Sequence, residues 1–130
     1  QTFTSSTAAI RASLVVLEKL RNGGLTGKNG RIVQLHNKFA KELKGLSQKF
    51  TGQFTGPYGL GGMVAFTVFE GDLAKTKAFT IRLFENGVIA FIAGKNPTRV
   101  RFLMPIMAVD ESDIEKVVAI VGKTFAEESH

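Results

Sequence analysis

Apolar residues first recur at Ile10, Leu14, Leu17 and Leu20, at spacings of four, three and three, which sets them on one face of a helix. Ser5 or Ser6 stands where an N-cap hydroxyl belongs, and Arg21, Asn22, Gly23 and Gly24 supply a basic last turn and a left-handed stop. A glycine-rich loop to about Asn29 leads into a second stripe, Ile32, Leu35, Phe39, Leu43 and Leu46, with Lys38, Lys41, Lys44 and Lys49 on the remaining faces. The polar stretch from Thr51 to Gly56, closed by Pro57, reads as a loop.

From Gly62 the period shortens. The runs MVAFTVF, VIAFIAG and RVRFLM are rich in branched and aromatic residues and predict three strands. Between the first two, Leu73 to Glu85 reads as a helix with Phe79, Leu83 and Phe84 facing inward, ended by Asn86 and Gly87. Lys95, Asn96, Pro97 and Thr98 form a tight link, so the second and third strands should make an antiparallel hairpin. VDESDIE opens a final helix: Ser112 and Glu115 have capping-box spacing, or Asp110 caps instead. Its buried stripe is Ile114, Val117, Val118, Val121 and Phe125. The fold class is therefore α+β, a small antiparallel-containing sheet of about three strands packed with helices.

Composition narrows the chemistry. With 130 residues, 44% apolar and 22% charged, the chain suits one ordinary globular domain with a real core. No apolar run approaches the roughly 20 residues of a membrane span, and no secretory leader opens the sequence, so a soluble, cytoplasmic protein is expected. The absence of cysteine removes disulfides, thiolate metal sites and a cysteine nucleophile, and two isolated histidines offer little to a metal. A net charge of +6 suits nucleic acid or another anion, or a missing acidic partner domain. The first residue is Gln1 and a helix pattern follows almost at once, as expected of a chain cut from a longer one.

Several motifs invite sharper readings. GGLTGKNG fails as a phosphate loop: Asn22 stands where its first glycine belongs, Asn29 follows the lysine, and a helix rather than a strand precedes it. GPYGLGGM lacks the last glycine of a dinucleotide fingerprint, having Val64 there, and reads as a bend into the first strand. GMVAFTVF faintly resembles an RNA-binding strand, but Met63 and Val64 replace its leading basic, glycine and aromatic positions. Phe66, Phe91 and Phe102 are expected in the core. His36 reads as a boundary residue and His130 as part of a frayed end. Arg99 and Arg101 alternate with Val100 and Phe102, so both guanidinium groups share one face. That pattern fits a solvated sheet face, a structural ion pair or a carboxylate clamp, the last because arginine's planar fork matches a carboxylate.

Four stretches, in order and across nearly the whole chain, resemble the last third of class III pyridoxal-phosphate aminotransferases, the group of acetylornithine, ornithine and 4-aminobutyrate aminotransferases. QTFTSSTAAIRASLVVLEKL resembles the threonine-aromatic stretch and the long helix joining large and small domains. GLGGMVAF resembles the entry to the first small-domain strand, and FENGVIAFIAG the helix end and second strand. RVRFLMPIMAVDESDIEKV resembles the arginine strand, proline break and final helix. The chain departs from the pattern at Thr4, Ser5, Ser6 and Thr7, at Tyr58, where an arginine is common, and at Met104, which replaces the first of two prolines.

The resemblance implies the C-terminal domain of a fold-type I enzyme: residues 1–22 would be the interdomain helix and its lead-in, and 23–130 the small domain. It implies that Thr2 contacts the phosphate of pyridoxal 5'-phosphate across a dimer interface and that Arg101, four residues before Pro105, binds the substrate carboxylate. Arg99 inherits no role. Amino acid and 2-oxo acid substrates, the missing large domain and a second subunit are the implied partners, without nucleic acid or membrane. The family's Schiff-base lysine lies upstream of this chain, so the chain alone should be inactive. A noncatalytic basic module that binds nucleic acid or another anion is the alternative.

Overall fold

The computed structural model describes residues 6–128. Its helices are α1 (Thr7–Asn22), α2 (Arg31–Lys49), α3 (Leu73–Glu85) and α4 (Glu111–Glu128), and its strands β1 (Phe54–Tyr58), β2 (Met63–Val68), β3 (Phe91–Ala93) and β4 (Arg99–Leu103). The chain divides into two compact units, the second beginning at Leu35.

In the first unit, α1 starts where a hydroxyl can serve its orphan amides: Ser6 Oγ accepts from the Ala9 N–H at 3.4 Å. The helix ends with the Gly23 amide donating to Lys19 O, and the left-handed residue is Gly24, at φ +66°. The predicted stripe is present but uncovered. α1 has no buried residue, and Ile10, Leu14, Val15, Val16 and Leu17 are each more than half exposed. The glycine-rich loop folds back on the start of α2, whose Arg31 and Ile32 amides donate to the Gly24 and Leu25 carbonyls. Those donors are spent within the backbone, as a helix stop and connector requires and a phosphate cradle does not.

The second unit is a four-stranded antiparallel sheet in the order β1-β2-β4-β3. One face carries Val64, Phe66, Val68, Val100 and Phe102, which are buried with Phe39 and Leu43 of α2, Phe79 and Leu83 of α3, and Val121 and Phe125 of α4. Rings join the layers. Phe54 stacks on Phe66 at 4.6 Å, and Phe79 and Phe125 meet edge to face at 6.1 Å.

Three particulars differ from the sequence reading, and a fourth settles an alternative it left open. The stretch expected as a loop contains β1, the edge strand. Pro57 lacks an amide for the ladder and Gly56 lies at φ +141°, so the residues that looked like loop residues sit where a one-sided, bulged strand tolerates them. A Cβ at position 56 would come within 3.1 Å of Phe66 Cβ, so glycine lets β1 close on β2. Phe84 is 66% exposed rather than inward, because the α3 surface that meets the core is covered by Phe79 and Leu83. Phe91 is half exposed, since β3 pairs Phe91 with Arg101 and thereby sets both on the face away from the helices. The final helix uses Asp110 as its cap: its carboxylate accepts from the Asp113 N–H at 3.0 Å, and the Asp113 carboxylate accepts from the Asp110 N–H at 3.2 Å. Ser112 supports that cap by donating its hydroxyl to Asp110 at 2.8 Å.

The glycine cluster after Tyr58 bends β1 into β2. His36 Nδ1 lies 2.9 Å from the Gly61 carbonyl, which can only accept, so this nitrogen carries the proton and holds the bend to α2. His36 is a structural boundary residue. Thr2 and His130 lie outside the described residues.

Candidate functional site

The face of the sheet opposite the helices is built by strand alternation. Val100 and Phe102 point into the core, at 0% and 6% exposure, so Arg99 and Arg101 between and beside them must point away. Register supplies their neighbours. Arg101 opposes Ala65 on β2 and Phe91 on β3; Arg99 opposes Ala93; and Ala65 in turn opposes Tyr58 on β1. Small side chains lie nearest the sheet, with Ala65 and Thr67 buried, while Tyr58 and Phe91 stand higher and remain roughly half exposed.

Neither arginine side chain has a hydrogen bond or ion pair among the described residues, and the Nε of each is buried without an acceptor. Both are only partly exposed. Four other cations of the second unit are ion-paired. Lys38 meets Glu42 and Glu115, Arg82 meets Glu85 and Glu128, Lys116 meets Asp113, and Lys123 meets Glu127. Alternate residues of a strand are about 7 Å apart. Two like charges on neighbouring positions of one face repel each other. An anion placed between them would turn that repulsion into attraction, and a carboxylate also satisfies guanidinium donors. Among the described residues Arg99 and Arg101 belong to no structural ion pair, which leaves a solvated sheet face and a carboxylate clamp as the readings of this pattern.

Tyr58 is the component that spacing alone did not reveal. Its ring centroid lies 4.7 Å from Arg99 Cζ, so the guanidinium is braced by a cation–π contact. The stretch around Tyr58 reads as loop, and only the pairing of β1 with β2 brings the ring across the small Ala65. Phe66 and Phe102 are buried beneath the helices and cannot serve as platforms for bases.

The aldehyde of pyridoxal phosphate needs an amine, and the side chains sharing the arginine face (Thr55, Tyr58, Met63, Ala65, Thr67, Phe91, Ala93 and Leu103) include none. Thr2, the residue implied for the phosphate, lies outside the described residues. An apolar groove of about 190 Å³ beside Phe39, Val88, Phe102, Met104 and Val117 has no charged lining residue and offers nothing to an anion. No helix is long and apolar enough to cross a membrane, and the described residues hold no cluster of metal-ligating side chains.

No family model matches the chain. It is 30% identical over 132 residues to the 5-aminovalerate aminotransferase of Pseudomonas aeruginosa, an alignment covering 97% of this chain and 30% of that protein. Among solved structures it is similar to the lysine aminotransferase of M. tuberculosis in its internal aldimine form. That match has 25% identity and a TM-score of 0.71 over 87% of this chain and 24% of that one. Acetylornithine aminotransferase of Elizabethkingia anophelis shares the fold, with a TM-score of 0.72 over 88% of this chain and 28% of that one, at 24% identity. The chain therefore spans about a third or less of the length of these relatives. In sequence and in fold it is class III aminotransferase-like, similar to the C-terminal small domain of these pyridoxal-phosphate enzymes.

Proposed function

We propose that the chain is the small domain of a pyridoxal-phosphate-dependent transaminase that moves an amino group from an amino acid or ω-amino acid to a 2-oxo acid, and that Arg101 receives the substrate carboxylate. The observation that carries this reading is an arginine held on a sheet face with its Nε buried and no acidic partner among the described residues, at the position implied by the family resemblance. A guanidinium left unpaired in this way has charge and donors to spare for a carboxylate, and its planar fork orients what it binds. The large domain would supply the lysine that bonds the cofactor, and Thr2 would contact its phosphate. The enzyme would work as a cytoplasmic homodimer by a ping-pong route.

In the full-length protein, Arg101→Lys should raise KM for carboxylate substrates about tenfold or more, because lysine keeps the charge but loses the fork. Unchanged KM would remove Arg101 from the site. The 130-residue chain incubated with pyridoxal phosphate and borohydride should yield no stoichiometric adduct at a unique lysine; one such adduct would show that the chain holds the covalent anchor itself.

A further inference from the structure

We propose that His36 is a positioning residue for carboxylate binding: it pins the glycine bend between β1 and β2, and through that bend it holds the strand ends beside Arg101 in place. This rests on the transaminase reading above and adds to it a residue of α2, on the side of the sheet away from the arginines.

The bend is made of residues that hold no shape by themselves. Between Tyr58 and Met63 stand Gly59, Leu60, Gly61 and Gly62, and glycine has the least restricted backbone of any residue. The turn is nevertheless too tight for a side chain at its start, where a Cβ on Gly59 would collide with the Met63 carbonyl oxygen. Its order comes from three successive carbonyls, each with a donor. Leu60 O accepts from the Met63 amide at 3.1 Å, and Gly62 O accepts from the Met104 amide at 2.8 Å. Between them, Gly61 O accepts from His36 Nδ1 at 2.9 Å. The outer two bonds are backbone to backbone. The middle one depends on a single side chain.

These bonds reach the arginine face. Tyr58, just before the bend, opposes Ala65 and braces Arg99, and Met63, just after it, opposes Leu103. Met104, whose amide closes on Gly62, directly follows β4, the strand that carries Arg101. The same helix fixes β4 from the core. Phe39, about one turn on from His36, meets Phe102 at 5.4 Å, beside Arg101. Without the pin, the bend would be tied only through its backbone ends, and Tyr58 and the end of β4 would gain freedom. Arg101 would then be spread over more orientations, and a planar fork binds a carboxylate well only when it is held in line.

The experiment measures the dissociation constant of the full-length protein for pentanoate, a simple carboxylate probe, well below the melting transition of each variant so that only folded protein is read. His36→Leu should weaken binding about fivefold, the scale of one lost hydrogen bond. Asparagine carries its amide nitrogen as many bonds from Cα as Nδ1 of histidine, whereas glutamine carries it one bond further out. His36→Asn should therefore stay within about twofold of wild type, and His36→Gln should behave like His36→Leu. These two polar variants keep the test sharp even where leucine disturbs folding. If all three variants bind pentanoate as wild type does while Arg101→Lys weakens it, His36 serves stability alone and the carboxylate site stands without it. Equal weakening by asparagine and glutamine would show that the donor to Gly61 is not what matters and overturn the proposal. If Arg101→Lys leaves binding unchanged, the carboxylate-site reading itself fails, and the role of His36 in it falls too.

Discussion

The two faces of β4 are one residue apart in sequence and opposite in chemistry. Val100 and Phe102 are sealed among rings and aliphatic chains from three helices, whereas Arg99 and Arg101 occupy the other face with no acidic partner among the described residues. The first face holds the unit together, because apolar burial and close packing reward every methylene placed there. The second carries two cations that no acidic side chain among the described residues balances. The proposed carboxylate site would use that unpaired charge on a rigid strand backed by a well-packed core.

That contrast can be broken from the core side first. Phe66→Ala removes a ring that stacks on Phe54 and touches Phe79 and Phe102, and should cost about 3 to 5 kcal/mol in a denaturant titration. A smaller loss would mean that the core relaxes into the cavity. Gly71→Ala should come next, at on the order of 2 kcal/mol. Gly71 is buried at φ +80° and a Cβ there would collide with Pro97, so both backbone conformation and space forbid a side chain. A thermal melt unchanged from wild type would show that the segment shifts freely.

Asp110→Ala should have a lesser effect and a pH signature. Hydrogen bonds from the Ser112 hydroxyl, and next from the Asp113 amide, hold the Asp110 carboxyl below the ordinary value of 3.8. A carboxyl depressed in the folded state contributes stability that is fully present above its unfolded value and is lost as pH falls through the folded one. The wild-type melting temperature should therefore drop more steeply than the variant's as pH is lowered from about 4, the ordinary range for aspartate. Parallel curves would remove Asp110 from the acid response. The smallest effect is expected on the arginine face. Arg101→Gln should change stability by no more than about 0.5 kcal/mol, since no ion pair is lost. A loss as large as that of a core residue would make the arginine structural and erase the distinction between the faces.

Much of this architecture was legible locally. The α3 boundaries, the α1 cap at Ser6, the hairpin of β3 and β4 and the alternation of Arg99 and Arg101 follow from spacing and capping chemistry, which act over a few residues. β1 was not legible, because Gly56 and Pro57 disqualify it as a free-standing strand and only its pairing with β2 makes it one. With β1 unread, Tyr58 could not be seen as the partner of Arg99. Phe84 and Phe91 were misplaced for a related reason: an aromatic side chain says that burial would be favourable, not that a neighbouring element arrives to provide it.

By itself, then, the sequence determined which residues share a face, since periodicity is a property of the chain and survives whatever packs against it. The tertiary structure decided which faces are covered and who meets whom. It left the α1 stripe exposed and sealed that of α2, chose Asp110 over Ser112 as a cap, and brought Tyr58 from an apparent loop onto Arg99. Those outcomes depend on contacts between residues far apart in sequence, and such contacts leave no trace in local spacing.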